Sequence, residues 1–276
     1  MITLVNFADK NFRSKQKWNT FSAKLFGKFD SVLEYNFSDI DEETLALNKE
    51  NLKYHNKGAG NYFWKAYIVE KALNKINEND YLMYADSGSF FLKSVLPLVK
   101  HMETKNKDIL CFRLPLIEKQ WTKRDAFLLM NCDSEKYTDS SQTLATFFLV
   151  KKTKKAIDFI SVYKKHCFDN RILSDDPNVL GKENYAEFIA HRHDQSILSL
   201  LSKKDNNVLI EGDISDYGYF PYKYIKDKNR LYNQEPLNIK KAIFKGTLIS
   251  NRSQHPLYYL AKYSIKRLLL IVGIES

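Results

Sequence analysis

A carboxylate directly follows a short apolar run in the segment Tyr84-Ala85-Asp86-Ser87-Gly88. A strand that ends in a carboxylate fixes that group at the edge of a sheet, and Gly88 lets a ligand approach the backbone closely. Hard cations such as Mg²⁺ and Mn²⁺ take oxygen ligands and share them with substrate phosphates. Tyr84, Asp86, Ser87 and Gly88 therefore form a candidate site for a metal ion and a diphosphate. A strand-end turn capped by the aspartate explains the same residues equally well.

Two glycines, three aromatic residues and a lysine follow one another between Gly58 and Lys65. Trp64 can stack on a base or a ribose, while Lys65 and the N–H groups of a helix start can bind phosphate. The spacing matches neither the P-loop nor the dinucleotide-binding fingerprint. Packing of Trp64 and Phe63 into the core is the competing interpretation.

Polar side chains occupy every position from His191 to Ser196, immediately before an apolar helical face. Arg192 is a candidate for phosphate contact, and Asp194 and Gln195 are candidate catalytic residues. No serine lies in the context of a nucleophile elbow, which argues against a nucleophilic triad. Capping of the helix by these polar residues is the alternative.

Apolar segments with strand and helix periodicity alternate along the chain, which predicts an α/β fold with a mostly parallel sheet flanked by helices. Ligands of such sheets bind beyond the carboxyl ends of the strands, which directs attention to Asp9 and Asp86. The predicted strands are Ile2–Phe7, Ser31–Tyr35, Tyr81–Tyr84, Ile109–Phe112 and Thr143–Val150. The predicted helices are Lys15–Phe26, Asp41–Tyr54, Trp64–Ile76, Leu92–Glu103, Lys123–Met130, Lys154–Cys167, Glu187–Leu201 and His255–Ile274.

The composition is that of a folded protein with a basic surface. Of 276 residues, 44% are hydrophobic, which suffices for a core and argues against general disorder. Lys and Arg number 43 against 33 Asp and Glu, a formal charge of +10 that attracts nucleic acid, anionic lipid or phosphorylated substrates. Because the lysines occur as scattered pairs, a solvated surface accounts for most of this charge.

Neither end of the sequence predicts a membrane span. No basic region or small-residue cleavage site follows Met1, so we expect a cytoplasmic protein. The apolar run Leu268–Ile274 is too short to cross a bilayer. The basic amphipathic segment His255–Ile274 predicts either a helix on the inner face of an anionic membrane or a helix docked on the core.

Three motifs in this order resemble a family of bacterial glycosyltransferases found in capsule and lipopolysaccharide gene clusters. They are residues 58–69 (GAGNYFWKAYIV), 80–88 (DYLMYADSG) and 191–201 (HRHDQSILSLL), and residues 21–30 and 123–125 also fit the family. Each motif alone is unspecific, but the ordered set is fairly specific. The resemblance covers roughly residues 1–210.

The resemblance implies a GT-A-like fold and a nucleoside-diphosphate sugar donor, with Mn²⁺ or Mg²⁺ as cofactor. Asp86 would stand in the metal- and donor-binding Asp-x-Asp motif, but Gly88 replaces its second aspartate. Asp194 would be the general base if the anomeric centre inverts, and Asp194 or Gln195 would stabilise an oxocarbenium-like centre if it is retained. We expect a catalytic domain over 1–210 and an acceptor-side extension over 211–276.

The expected partners are the donor, a glycan or lipid-linked glycan acceptor and an anionic membrane surface. Nucleic-acid binding is the rival from another class, but it predicts a clustered basic stripe and a recognition module, and the sequence has neither. We therefore expect no nucleic-acid partner. A catalytically inactive relative is the third hypothesis, because the second carboxylate is missing.

Overall fold

The computed structural model of the chain describes residues 1–54, 57–218, 229–232, 243–251 and 254–272. The strands within these ranges are β1 (Ile2–Phe7), β2 (Ser31–Tyr35), β3 (Tyr81–Ala85), β4 (Ser89–Phe91), β5 (Ile109–Ile117), β6 (Ser141–Lys151), β7 (Val208–Glu211) and β8 (Leu248–Ser250). The helices are α1 (Arg13–Ser22), α2 (Glu42–Leu47), α3 (Lys49–Tyr54), α4 (Gly58–Asn61), α5 (Trp64–Leu73), α6 (Leu96–Thr104), α7 (Glu118–Trp121), α8 (Arg124–Leu129), α9 (Glu135–Thr138), α10 (Lys154–Cys167), α11 (Asn170–Leu173), α12 (Asp194–Lys204) and α13 (Pro256–Ile271).

Six strands form the central sheet in the order β2-β1-β3-β6-β5-β7. Strand β6 is antiparallel to both of its neighbours, and the other five strands share one direction. The sheet is therefore mostly parallel, as the sequence predicted. A small second sheet pairs β4 with β8 in antiparallel register.

Alternate residues of the central strands supply two cores, one on each face of the sheet. Val5 and Tyr84 belong to the core covered by α5, α10 and α12. Leu4 and Met83, their neighbours in sequence, belong to the core covered by α6 and the end of α1. Helices thus flank both faces, which confirms the predicted α/β layering.

Tertiary pairing moves the start of two predicted helices. The helix predicted from Leu92 begins at Leu96, because Ser89–Phe91 form β4 against β8. The helix predicted from Glu187 begins at Asp194. In the preceding loop the N–H groups of Ile189 and Arg192 donate to the carbonyls of Gln120 and Trp121, so they are not available to a helix.

Two other predicted helices change geometry along their length. The segment predicted from Asp41 to Tyr54 divides into α2 and α3 at Asn48, whose side chain donates to the carbonyl of Thr44. Helix α1 continues as a π-helical turn over Ala23–Gly27. In the part of the chain that the structure describes, no helix combines the length and the apolar character that a bilayer span needs.

Candidate active site

A left-handed turn at 58–62 forms one wall of the site. Five consecutive residues have positive φ: Gly58 (58°), Ala59 (51°), Gly60 (90°), Asn61 (57°) and Tyr62 (65°). This conformation costs a residue with a Cβ roughly 1–2 kcal/mol, and glycine and asparagine tolerate it best. The carbonyl of Gly58 accepts bonds from the N–H of Tyr62 and from Nε1 of Trp64. The turn therefore fixes two aromatic rings beside each other.

The first cavity, named the donor cleft for the role proposed below, has a volume of about 320 Å³ and lies beyond the carboxyl ends of β1 and β3. This is the position at which open α/β sheets bind their ligands. Its walls are Phe7, Asp9, Asn11, Phe12, Gly58, Ala59, Tyr62, Trp64, Tyr84, Asp86, Ser87 and Gly88. The structure thus brings five of the nine predicted site residues, together with Asp9, to one cleft.

Trp64 stacks on Phe7, with ring centroids 3.9 Å apart and planes inclined by 19°. Only 7% of Trp64 is exposed, so this residue packs in the core and also lines the cleft. Asp9 closes the end of β1, because its Oδ1 accepts from the N–H groups of Asn11 and Phe12. Its carboxylate is therefore oriented before any ligand binds.

The segment after β3 carries Asp86 into the cleft, as the sequence predicted for a strand end. Oδ1 of Asp86 accepts a hydrogen bond of 2.6 Å from the Tyr84 hydroxyl. Ser87 is buried, and its hydroxyl donates to the carbonyl of Phe7, so it ties β3 to β1. The carbonyl of Gly88 accepts from the N–H of Asn251, which brings the segment after β8 to the same cleft.

Lys65 lies beneath the floor of the site and joins two carboxylates. Its Nζ is 2.7 Å from Oδ2 of Asp194 and 3.4 Å from Oδ1 of Asp86, and it donates to the carbonyl of Ala145. Burial alone would lower the pKa of Lys65, but the two carboxylates outweigh it and hold that pKa above its ordinary value. The ammonium is therefore charged. Direct contact of Lys65 with donor phosphate stays a prediction.

Two tyrosines complete the surroundings of these carboxylates. Tyr84 donates to Asp86, and Tyr163 donates to Oδ2 of Asp194 over 3.4 Å. Burial, followed by the charges of Asp86 and Asp194 respectively, raises the pKa of both phenols well above the usual value. Both hydroxyls therefore keep their protons and act as donors at neutral pH.

The backbone immediately before α12 is strained. His193 has φ of 52° and ψ of −124°, a region that residues other than glycine rarely adopt. Its Nδ1 bonds to the carbonyl of Leu173, which holds the imidazole in place. The turn directs Asp194, only 3% exposed, toward Lys65, and Arg192 over the ring of Trp121 at 4.3 Å.

A chain of hydrogen bonds fixes the side-chain amide of Gln195. The buried carboxylate of Glu118 accepts from Nε2 of Gln142, so Oε1 of Gln142 is the atom that accepts from Nε2 of Gln195. Oε1 of Gln195, the side-chain amide oxygen, is then the atom that accepts from the N–H of Ala145. The carboxylate of Glu118 therefore sets the orientation of the Gln195 amide through Gln142.

His191 is held as a neutral imidazole. Its Nδ1 accepts from the N–H of Lys123, so Nε2 carries the proton that it donates to the carbonyl of Ile172 over 2.8 Å. Burial, reinforced by His193 and Lys123, lowers the pKa of His191 well below its ordinary value. The histidine therefore supports the loop before α12 and is not aimed at a ligand.

A second cavity, named the acceptor cavity for the role proposed below, is lined by residues of β5, β6 and α13 and has a volume of about 440 Å³. Its walls are Leu114, Leu116, Leu144, Thr146, Phe147, Arg192, Gln195, Asp213, Ser215, Tyr217, Ser250, Asn251, Gln254, Tyr259 and Lys262. Helix α13 closes it, because Tyr259 donates to the buried carboxylate of Asp216 over 2.6 Å. Most of its walls are polar.

A small hollow of about 60 Å³ shares wall residues with both larger cavities, and we call it the junction. It shares Tyr62 and Asp86 with the donor cleft and Arg192 and Gln195 with the acceptor cavity. Lys65 and Asp194 also line it. All nine predicted site residues therefore line three adjoining cavities, and we call this row of cavities the path.

Sequence reasoning missed several residues that line these cavities or form hydrogen bonds with groups near them. Gln142 and Thr146 lie within an apolar strand, and Tyr163 lies in the middle of a helix. A polar residue in a buried strand is the signal that could have identified Gln142. Asn251 and Asp216 had no local signal, since their positions depend on pairing of β8 with β4.

The described residues offer little to a resident metal ion. Within them, no group of three His, Cys, Asp or Glu side chains is placed to hold one. Asp86 supplies one carboxylate to the cleft, at the position where the resemblance places a metal ligand. Mg²⁺ sites of this kind take one or two carboxylates and complete their ligands with substrate phosphate. The residues therefore fit a cation that binds together with a diphosphate, and do not fit one held by the protein alone.

The architecture is the GT-A-like fold of glycosyltransferases, an α/β sheet whose carboxyl edge carries the three cavities. The chain is similar in structure to the galactosyltransferase LgtC in complex with donor and acceptor sugar analogues. The TM-score is 0.51 and the identity 13%, over 95% of this chain and 94% of LgtC. It is similar to an active-site variant of LgtC as well, with a TM-score of 0.51 and 12% identity over 96% and 95% of the two chains.

The bifunctional glycosyltransferase WbbM is a further similar structure, with a TM-score of 0.50 and 10% identity. That likeness covers 92% of this chain and 46% of WbbM. The sequence itself matches no family model and no curated protein. At these identities the likeness establishes the fold, and it confirms the GT-A-like fold that the motif resemblance implied.

Proposed function

We propose that this chain is a glycosyltransferase of the hexosyltransferase type. It would transfer a sugar from a nucleoside-diphosphate sugar to the glycan or lipid-linked glycan of a capsule or lipopolysaccharide. The observation that carries the proposal is the path of three adjoining cavities, with the Lys65, Asp194 and Gln195 side chains at the junction. A transferase needs two substrates to meet at one set of polar groups, and this arrangement provides for both.

The donor cleft suits a nucleotide in size and chemistry. The stacked pair Phe7 and Trp64 and the Tyr62 ring offer apolar faces to a base or ribose. Asp9 offers a preoriented carboxylate that can accept from ribose or base N–H and O–H groups. LgtC, whose structure holds a donor sugar analogue, has the same fold. We therefore assign donor binding to Trp64, Tyr84, Asp86, Ser87 and Gly88.

Catalysis in this proposal is mainly electrostatic. The bond from the anomeric carbon to the diphosphate oxygen breaks, a bond to an acceptor hydroxyl oxygen forms, and the hydroxyl proton passes to the departing diphosphate oxygen. The diphosphate gains charge as it departs, and Arg192 at the junction would stabilise that charge. A Mn²⁺ or Mg²⁺ ion bound by Asp86 and the diphosphate would supply further neutralisation.

Positive charge that develops on the sugar would face Asp194 and Gln195. Oδ2 of Asp194 is already bonded to Lys65 and Tyr163, so we assign this carboxylate a charge-stabilising role and not proton removal. The carbonyl oxygen of Gln195 has a fixed direction, set by Gln142 and Ala145. Both groups would stabilise an oxocarbenium-like transition state without reorganising.

The extension over 211–276 is proposed to bind the acceptor. Ser215, Asn251, Tyr259 and Lys262 line the acceptor cavity from this part of the chain. Residues 219–228, 233–242, 252–253 and 273–276 of the predicted extension lie outside the described residues. Helix α13 is basic and partly exposed, and we propose that it contacts the inner face of an anionic membrane, where a lipid-linked acceptor would be presented.

The first experiment is a thermal-shift screen against UDP-, GDP-, CMP- and dTDP-sugars, each with and without Mn²⁺. A ligand that binds only the native state raises the melting temperature by mass action. We expect a shift with one nucleotide class, a larger shift with Mn²⁺, and loss of the Mn²⁺ increment in Asp86→Asn. Ser174→Ala, a change outside the three cavities, is the matched control.

Transfer itself is measured by mass spectrometry of a glycan acceptor after incubation with the donor so identified. A donor-dependent mass increase that is lost in Asp194→Asn supports the proposal. Donor binding without hydrolysis or transfer would identify an inactive relative. A salt-sensitive shift with oligonucleotides and none with any sugar nucleotide would replace the proposal with nucleic-acid binding.

A further inference from the structure

The end of α1 and the π-helical turn after it present apolar side chains to solvent. Phe21 is 51% exposed, Leu25 46% and Phe26 39%. In the π-helical turn three consecutive residues, Lys24, Leu25 and Phe26, are all exposed. Single π-helical turns are frequently found at functional sites. None of these side chains lines the donor cleft, the junction or the acceptor cavity.

Lysines surround this apolar group, and we call the whole the α1 surface. It consists of Lys17, Phe21, Lys24, Leu25, Phe26 and Lys28. The segment Lys10–Phe29 contains six basic residues and no acidic one. An acidic residue of β2, Glu34, does contact α1, but it accepts a hydrogen bond from Thr20, which is outside the α1 surface. A solvated helix face usually mixes both signs of charge, so this composition needs another explanation.

The α1 surface continues toward the start of α13 through one aromatic side chain. The ring of Trp18 lies edge-on to Phe21 at 5.8 Å and to His255 at 5.7 Å. Leu257 and Tyr258, in the first turn of α13, are exposed. The described residues 254–272 again contain basic residues and no acidic one. Exposed apolar side chains and basic residues therefore occur on both elements.

We propose that the α1 surface is a docking site for an anionic membrane. Phe21, Leu25 and Phe26 would enter the interface between headgroups and acyl chains, and Lys17, Lys24 and Lys28 would bind the lipid headgroups. A second copy of the chain is a poor occupant, because two such surfaces would bring like charges together across a twofold interface. A purely polar polyanion would leave the three apolar side chains unused.

Docking at the α1 surface would hold the donor cleft near the membrane. Phe12, at the start of α1, lines the donor cleft. With a rise of 1.5 Å per residue, Phe21 lies about 14 Å from Phe12 along the helix axis. The surface is thus close enough to place the site beside a membrane-bound substrate, yet it contributes no side chain to the site. Docking and catalysis can therefore be tested independently.

The test is sedimentation of the purified full chain with vesicles of phosphatidylcholine containing phosphatidylglycerol, and with vesicles of phosphatidylcholine alone. We expect binding to the anionic vesicles that weakens as salt is added. Phe21→Ser/Leu25→Ser and Lys17→Glu/Lys24→Glu should each lower the vesicle partition coefficient at least about tenfold. The matched controls change equally exposed positions elsewhere: Leu47→Ser/Val179→Ser and Lys105→Glu/Lys155→Glu.

Several results would overturn the proposal. If both α1 variants still bind vesicles and the Leu257→Ser/Tyr258→Ser variant does not, the membrane contact belongs to α13 alone. Equal binding to neutral and anionic vesicles would remove the role of the lysines. Dimers that the Phe21→Ser/Leu25→Ser variant disrupts in light scattering, without vesicle binding, would make the surface a protein interface. We expect the α1 variants to keep the thermal shift with sugar nucleotides. An unchanged shift would show that these variants are folded.

Discussion

The positive charge of buried Lys65 balances the negative charges of two nearby carboxylates. Its ammonium is 3% exposed and pairs with Asp194 and, more distantly, with Asp86. Taking ions out of water is costly, and removing one partner of a buried pair leaves the other without compensation. The stability of the site therefore depends on this lysine, whatever contact it makes with a donor.

Replacing Lys65 with methionine should lower the free energy of unfolding by roughly 3–5 kcal/mol. The reason is that the Asp194 carboxylate would stay buried without a cation. Urea denaturation measures the change. The double variant Lys65→Met/Asp194→Asn should recover part of this loss but no transfer activity. A single-variant loss below about 1 kcal/mol would show that the pair is solvated in solution.

Gln142 is a positioning residue for Gln195 in this structure. Gln142→Met removes the bond that fixes the Gln195 amide and should reduce kcat roughly tenfold to hundredfold, because small misplacements of a catalytic group are that costly. The KM for the donor should change less than about twofold, since Gln142 is not part of the donor cleft. Gln16→Met, a buried glutamine bonded to Asn6 and Tyr35, is the control. An equal loss in both variants would indicate general destabilisation.

His191 gives the fold a pH dependence whose sign is fixed by its lowered pKa. The imidazole is neutral in the fold and takes up a proton on unfolding below its ordinary pKa of 6.5. Its contribution to stability is therefore present above pH 6.5 and is lost as the pH falls toward the lower folded value. We expect a loss of about 1.4 kcal/mol per pH unit below 6.5 from this group. His191→Gln should reduce that slope, and the exposed His255→Gln should not, in urea melts between pH 5 and 8.

At the scale of elements, the strained left-handed turn at 58–62 positions side chains of the donor cleft. The Gly58 carbonyl receives two donors, and the turn places the Tyr62 and Trp64 rings. Glycine is needed at this position for two reasons. Its φ is positive, and a Cβ built there would overlap the Tyr62 ring.

Gly58→Ala should therefore destabilise the protein and displace Tyr62 from the cleft. Gly181→Ala is the matched control, because Gly181 also has positive φ, of 74°, but nothing lies within 4 Å of a Cβ there. Both variants should lose roughly 1–2 kcal/mol to backbone strain. The further loss in Gly58→Ala, together with a diminished sugar-nucleotide thermal shift, measures the overlap with Tyr62. Equal behaviour of the two variants would contradict a role of the turn in the donor cleft.

At the scale of the whole molecule, α13 and the strands β5 and β6 of the central sheet together line the acceptor cavity. Tyr259 donates to Asp216, whose N-terminal neighbour Ser215 lies in the acceptor cavity beside Gln195. Burial raises the pKa of Asp216 above its usual value, although the bonds from Tyr259 and from Ser250 N–H act in the opposite direction. The bond from Tyr259 therefore supports a buried carboxylate and the wall of the cavity together.

Tyr259→Phe should lower the free energy of unfolding by about 1–3 kcal/mol, because a buried acceptor loses its donor. The KM for the acceptor should rise while hydrolysis of the donor in the absence of acceptor stays unchanged, since Tyr259 is remote from the donor cleft. Tyr258→Phe, a neighbouring exposed tyrosine, is the control. A fall in donor hydrolysis would mean that the two cavities are not independent.

The amino-acid sequence by itself determined the layers of this protein and most of its elements. Local periodicity and strand-end chemistry suffice for features such as β1, α10 and the position of Asp86 after β3. They also directed attention to nine of the residues that line the three cavities. The reason is that side-chain burial follows the 2-residue and 3.6-residue periods, and these are local properties of the chain.

Only the tertiary structure decided which of these residues meet. The Lys65–Asp194 pair joins two residues that are far apart in the sequence, and the late start of α12 depends on bonds to Gln120 and Trp121. Likewise, β4 forms because β8 pairs with it, and the local periodicity of the sequence does not predict this pairing. Contacts between distant segments depend on how the elements pack, so the buried ion pair, the orientation of Gln195 and the junction between two cavities follow from the fold.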